Sequence, residues 1–249
     1  FEKNYFPLET SRGSLNYLIG LKTLFCNKRQ NISMGMIILL ISFVFTYIIA
    51  MFYNFVVDEK VFSTIVGLEA ADVSVNYTGD NYKEIYKEIS QIENVDKVLS
   101  YTEDNIAMEF EENKYSSMVT ICEDYSQCKI NTIYEGRYPK HDNEIAISSV
   151  VKEKLNVEVG DIIEVKSKNG NVEFMVVGIM QHINNLGRSV AITESGMKQI
   201  DSKFAPGKLF IYANQHENNK IIMDTINNMY PNENIIVKNR YESTEYIMG

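Results

Sequence analysis

The chain has 249 residues and a formal net charge of −9. The first 57 residues carry a net +3 and the remaining 192 a net −12. So acidic a body excludes nucleic acid as a partner, because phosphate binding needs clustered Lys and Arg. Three scattered His, with no H-x-x-x-H, C-x-x-C or Gly-rich phosphate loop, leave no sequence basis for a metal centre or a nucleotide site.

The chain opens on Phe1, which points to a piece of a longer or processed protein. Residues 1–33 read as a cytoplasmic segment. Within it Leu15, Leu18, Ile19, Leu21, Leu24 and Phe25 recur at helical spacing after a candidate N-cap, Ser14. Lys22, Lys28 and Arg29 suit headgroups, so this reads as an amphipathic interfacial helix bent near Asn27–Asn31. Met34–Val57 is an apolar run, and no charge occurs between Arg29 and Asp58. A bilayer core about 30 Å thick needs about 20 such residues, so 34–57 is predicted to cross a membrane. The basic flank precedes the run and Asp58 and Glu59 follow it, which places the N-terminus inside and residues 58–249 outside. Phe52, Tyr53 and Phe55 form an aromatic belt at the outer end, and the helix is expected to continue as a stalk to about Gly67.

Residues 58–249 alternate strand and helix signals, an α+β pattern. Ala71–Tyr77 reads as a strand and Tyr82–Ile92 as an amphipathic helix with Tyr82, Ile85, Ile89 and Ile92 on one face. Val95–Tyr101, Ile106–Phe110 and Tyr115–Cys122 are three further strands. Glu144–Ser148 is a strand, followed by a helix over Ser149–Leu155 capped by Ser148 or Ser149. Gly160–Asp161 turns into Ile162–Ser167, and Asn169–Gly170 joins that strand to Asn171–Ile179 as a hairpin. A strand at Ser189–Ile192, a helix capped by Thr193, a strand at Gly207–Ala213, an amphipathic helix over Glu217–Met229 and a strand at Ile235–Val237 follow. Tyr241–Gly249 reads as the return toward the membrane.

No residue set is singled out as catalytic. Glu103–Asp104 and Glu111–Glu112 are paired carboxylates at strand ends, where solvated charge is the ordinary role. His141, His182 and His216 read as solvated loop residues. Cys26 lies on the cytoplasmic side. Cys122 and Cys128 lie outside with five residues between them and are candidates for a disulfide. Trp is absent while Asn, Ile, Lys and Tyr are abundant, which fits an AT-rich, Gram-positive-like bacterium.

One string is more specific. Gly136-Arg137-Tyr138-Pro139, then Asn143-Glu144-Ile145-Ala146-Ile147-Ser148, Leu155, Val159-Gly160-Asp161-Ile162-Ile163-Glu164-Val165 and Phe174-Met175-Val176-Val177-Gly178-Ile179 resemble the extracytoplasmic domain of MacB/FtsX-type ABC transporter permeases. The stretch GLKTLFCNKRQNISMGMIILL is similar to the entry into the first membrane helix of such permeases. The resemblance implies one transmembrane helix followed by a two-lobed domain, with a variable lobe at roughly 88–130. It makes Gly136, Arg137, Pro139, Glu144, Gly160, Asp161 and Gly178 structural positions rather than ligands. It implies no cofactor in this chain, an ATPase on the cytoplasmic side, a second permease chain or half, and contact with lipid. Motion driven by ATP would then reach the ectodomain for export or extraction of peptides, lipids or lipoproteins. The alternative is an ectodomain that senses antimicrobial peptides or regulates a cell-wall hydrolase. On the same resemblance, residues 1–13 would be a linker from an earlier unit.

Overall fold

The structure, a computed structural model, describes residues 14, 16–17, 19–20, 28–57, 59–79, 81–168, 170–231 and 235–239. It divides into two units, Phe1–Asp58 and Glu59–Gly249. Most of the expected interfacial helix, with Cys26, lies outside the described residues, although Asn16, Tyr17, Ile19 and Gly20 are helical. The expected descent at Tyr241–Gly249 and the turn residue Asn169 lie outside them too.

The first unit holds α1, Lys28–Phe52, which runs into a π-type turn at Tyr53–Val57. Arg29–Phe55 is a helical stretch of 27 residues, long and apolar enough to cross a membrane. At 1.5 Å per residue it measures about 40 Å. The helix starts six residues before the expected span, because Lys28–Ser33 keep helical geometry despite their polarity. The bend expected near Asn27–Asn31 is therefore absent over Lys28–Asn31. The polar groups within the run are satisfied locally: the Thr46 hydroxyl donates to the Ser42 carbonyl, and the Asn54 amide to that of Ala50. Both acceptors lie one turn back, so neither group needs water as a partner.

The second unit begins with α2 (Glu59–Val66) and continues through β1 (Val73–Tyr77), α3 (Tyr82–Ile89), β2 (Val95–Phe110) and β3 (Asn113–Cys122). Then come β4 (Ile133–Gly136), β5 (Glu144–Ser148), α4 (Ser149–Leu155), β6 (Ile162–Ser167) and β7 (Gly170–Met180). The last elements are β8 (Ser189–Thr193), α5 (Glu194–Ile200), β9 (Lys208–Ala213), α6 (Asn219–Met229) and β10 (Ile235–Asn239). The described strands form a ten-stranded mixed sheet in the order β10-β1-β9-β2-β3-β8-β5-β7-β4, with β6 pairing β2 and β7. Among the described strands only β3 with β8 and β5 with β7 run parallel.

β2 carries the sheet from one half to the other. Val95–Ser100 pair with β9, and Tyr101–Phe110 pair with β3. The sequence reads as two strands here because Glu103, Asp104 and Asn105 interrupt the apolar pattern. In the structure those three are exposed rungs facing Thr120, Val119 and Met118 of β3, so the ladder continues through them. Residues 88–130, expected as a variable lobe, thus hold β2 and β3 at the middle of the strand order.

Three apolar clusters form among the described residues, one of them around Tyr101, Cys122, Tyr125 and Tyr212, and the other two lie under helices. Of these two, one packs Ile145, Ile147, Ile163, Val165, Phe174, Val176 and Ile179 with α4 and α5. The other packs Val73, Val75, Leu209 and Ile211 under α3 and α6, through Ile85, Ile89, Ile222 and Ile226. α4 is capped by the Ser148 hydroxyl and α5 by that of Thr193, as their positions before apolar runs predict. α3 stops at Ile89, three residues short of the expected end, and the chain turns through Asn94 with φ 70°. Phe174 is fully buried in the larger core. Phe174→Ala is expected to cost about 3–5 kcal/mol, read as a lower urea midpoint; a loss under about 1 kcal/mol would contradict this packing.

Candidate functional site

The described residues converge on one built cluster, where the chain leaves α2 and enters the sheet. Gly67 ends α2 in the left-handed region (φ 80°), and the N–H groups of Gly67 and Leu68 both donate to the Ser63 carbonyl at 2.7 and 3.1 Å. A Cβ on Gly67 would lie 2.5 Å from Cγ of His182, so only glycine lets the imidazole pack there. His182 Nε2 lies 2.6 Å from the Ser189 hydroxyl, and the Ile183 N–H donates to the Ile65 carbonyl at 3.1 Å. Burial holds the His182 pKa below its ordinary 6.5. His182 is therefore half-buried and partnered, not the solvated loop residue its sequence context predicts.

Two carboxylates follow within five residues. Glu69, 7 % exposed, accepts from the Lys129 N–H at 2.7 Å, the Ile130 N–H at 3.4 Å and the Tyr212 hydroxyl at 2.6 Å. Asp72, 2 % exposed, accepts from the Ala213 N–H at 3.1 Å and lies 3.4 Å from the Lys129 ammonium and 2.5 Å from Nδ1 of His216. Burial, then the Glu69 carboxylate, drives the Tyr212 pKa up. Tyr212 therefore stays protonated and donates. Buried carboxylates are tolerated only when so satisfied. The effect is to tie residues 69–72 to the 128–130 segment and to β9. Sequence reading missed both acids. Their signal is a pair of charges inside the apolar run Leu68–Val75, which marks buried charge and not a solvated strand end.

The motif positions form a second staple. Gly136 (φ 73°) and Gly178 let two backbones touch: a Cβ on Gly178 would lie 2.2 Å from the Arg137 carbonyl oxygen. Arg137 forks onto Glu144 at 2.6 and 2.5 Å, and Glu144 also accepts from the N–H groups of Lys140 at 2.8 Å and His141 at 3.2 Å. Pro139 is buried inside the turn so closed. The Arg137 guanidinium, with those backbone donors, pulls the Glu144 pKa from 4.5 to about 2. Gly160 (φ 104°) and Asp161 shape the entry to β6, with the Asp161 carboxylate accepting from the Glu158 N–H at 2.8 Å.

The remaining candidates separate. Glu103 pairs with Lys208 at 3.9 Å, Asp104 accepts from the Asn105 N–H, and Glu111 and Glu112 form the exposed β2–β3 turn. Among the described residues no group of three or more His, Cys, Asp or Glu is placed to hold a metal ion. Cys122 and Cys128 are brought together, with sulfurs 3.9 Å apart. A groove of about 830 Å³ lies beside them, lined by Tyr125, Arg137, Tyr138 and Pro139.

The Arg137–Glu144 staple makes a pH prediction. A carboxylate with a depressed folded pKa stabilises the fold above its unfolded value and loses that contribution as pH falls. Wild-type stability should therefore drop between about pH 4.5 and 2 more steeply than that of Glu144→Gln, which should itself cost about 2 kcal/mol at pH 7. Acid denaturation profiles of the two proteins that run parallel would contradict the staple.

No family model matches the sequence, and no curated protein sequence matches it significantly. Solved structures do match. The extracellular domain of a noncanonic ABC-type transporter, YknZ, from Gram-positive bacteria is 13 % identical with a TM-score of 0.53, over 67 % of this chain and 99 % of that one. The periplasmic region of MacB from Actinobacillus actinomycetemcomitans is 9 % identical with a TM-score of 0.54, over 73 % of this chain and 94 % of that one. At these identities the likeness is one of fold: a mixed sheet with short helices, as in MacB-like extracytoplasmic domains, here preceded in the chain by an apolar helix of membrane length.

Proposed function

We propose that this chain is part of the permease subunit of a MacB/FtsX-type ABC transporter. The carrying observation is a MacB-like domain in a chain whose preceding helix is long enough to cross a bilayer. In this reading residues 1–33 are cytoplasmic, α1 spans the membrane and residues 58–249 are extracellular. A separate or fused ATPase acts from the cytoplasmic side, and a second permease chain or half completes the membrane part. The ectodomain relays motion and performs no chemistry. Its substrates are peptides, lipids or lipoproteins to be exported or extracted.

The clusters around Gly67 and Glu69 support a relay because they fix the end of α2 to the sheet. Force arriving along α2 then moves the domain instead of bending a loose linker. Satisfied buried carboxylates resist such bending, since separating them from their donors strands charge in the interior.

The test uses the complete permease with its ATPase in proteoliposomes. Substrate-stimulated ATP hydrolysis is expected, and Val61→Pro within α2 should reduce that stimulation at least about fivefold while the ectodomain keeps its wild-type circular dichroism. Wild-type stimulation in a folded Val61→Pro protein would contradict the relay. Hydrolysis indifferent to every peptide, lipid and lipoprotein tried would contradict transport.

A further inference from the structure

Cys122 ends β3, and Cys128 follows a single 3-10 turn at Tyr125–Gln127. The Asp124 carboxylate closes that turn by accepting from the Ser126 N–H at 2.9 Å. Stacked rings of Tyr125 and Tyr138, 4.7 Å apart, hold its inner face, and the Tyr125 hydroxyl donates to the Thr120 carbonyl at 2.7 Å. The turn folds back so that the two sulfurs face each other at 3.9 Å, both as thiols. A disulfide needs about 2.05 Å, so about 2 Å of shared side-chain movement would close it.

The two thiols differ in access. Cys122 is fully buried, whereas Cys128 is partly exposed. The groove that runs past Tyr125, Arg137 and Pro139 is lined by Cys128 and not by Cys122. The residues after Cys128 are Lys129 and Ile130, whose N–H groups hold the Glu69 carboxylate. The Lys97 ammonium bonds the Gln127 carbonyl beside them.

We propose that Cys122 and Cys128 form a redox-closable dithiol, entered at Cys128 by an oxidant of the disulfide class, whose closure braces the arm that holds Glu69. Its occurrence in the cell rests on the extracellular placement of residues 58–249 given above. In the first step the Cys128 thiolate attacks one sulfur of the donor disulfide. A mixed disulfide forms, and the first donor sulfur leaves as a thiolate that takes up a proton. In the second step the Cys122 thiolate attacks Cys128 Sγ, and the second donor sulfur leaves in the same way. The two cysteines lose two protons and two electrons in total, and the donor disulfide gains them as two thiols. Cys128 is the entry point because a bulky donor must reach it from the groove. Cys122 is the resolving thiol because it is buried against its partner. The hydrogen bond to Cys122 and burial push the Cys128 thiol up, with Lys97 opposing, so exchange with a small disulfide is slow.

The test exposes the full chain in detergent to oxidised glutathione, with alkylation and peptide mass spectrometry. The peptide spanning Cys122 and Cys128 should lose about 2 Da, one hydrogen per thiol, and resist alkylation. Cys122→Ser should accumulate a glutathione adduct on Cys128, and Cys128→Ser should leave Cys122 at least about tenfold less modified. Should a serine variant misfold, the wild-type mass change alone decides. Free thiols at both positions after prolonged exposure, or equal adducts in the two folded variants, would overturn the proposal. The same peptide is also read from cells alkylated before lysis. Closure in detergent with full reduction in cells would uphold the dithiol chemistry and overturn its occurrence in the cell.

Discussion

The structure depends on a buried carboxylate, Glu69, that sits where the chain passes from α2 into the sheet. It takes three donors from two distant stretches, the 129–130 backbone and the Tyr212 side chain of β9. Asp72 repeats the arrangement three residues on, with Ala213, Lys129 and His216 around it. An ionised carboxylate out of water costs several kcal/mol unless satisfied, so each acid is tolerable in only one arrangement of its neighbours. That makes residues 67–72 a fixed joint. Its other wall is steric: His182 occupies the space a side chain at Gly67 would need.

The Arg137–Glu144 staple works by the same physics at the far edge of the sheet. β4 is a short edge strand, and edge strands need something to hold them. Gly136 and Gly178 remove the side chains that would keep β4 off β7, and the Arg137 fork onto Glu144 closes the turn between β4 and β5. The string of residues that resembles the permease domains is thus a set of positions that shapes the backbone.

Local signals in the chain translated well into structure. Caps at Ser148 and Thr193, the Gly160 turn, the β6–β7 hairpin and the apolar stripe of α3 each rest on short-range rules, and each element lies within a few residues of its expected place. What the sequence hid is long-range. Glu103–Asn105 look like a break between two strands because their polarity interrupts the alternation, yet β3 supplies rungs that carry β2 through them. Glu69 looks like one more surface acid because its donors come from residues 60 and 143 positions away. The nearness of Cys122 to Cys128 was legible in their spacing, whereas the difference in access that separates their roles needed the packing of Tyr125 and Tyr138.

A double-mutant cycle between Glu69 and Tyr212 tests the joint most directly. Urea denaturation of the complete chain in mild detergent would compare wild type, Glu69→Gln, Tyr212→Phe and the double variant. A joint of this kind predicts a coupling energy of about 1 kcal/mol or more, with the double variant less destabilised than the two single losses added together. Additivity within about 0.3 kcal/mol would mean that the two groups do not act on each other, and the fixed joint at the end of α2 would fall with them.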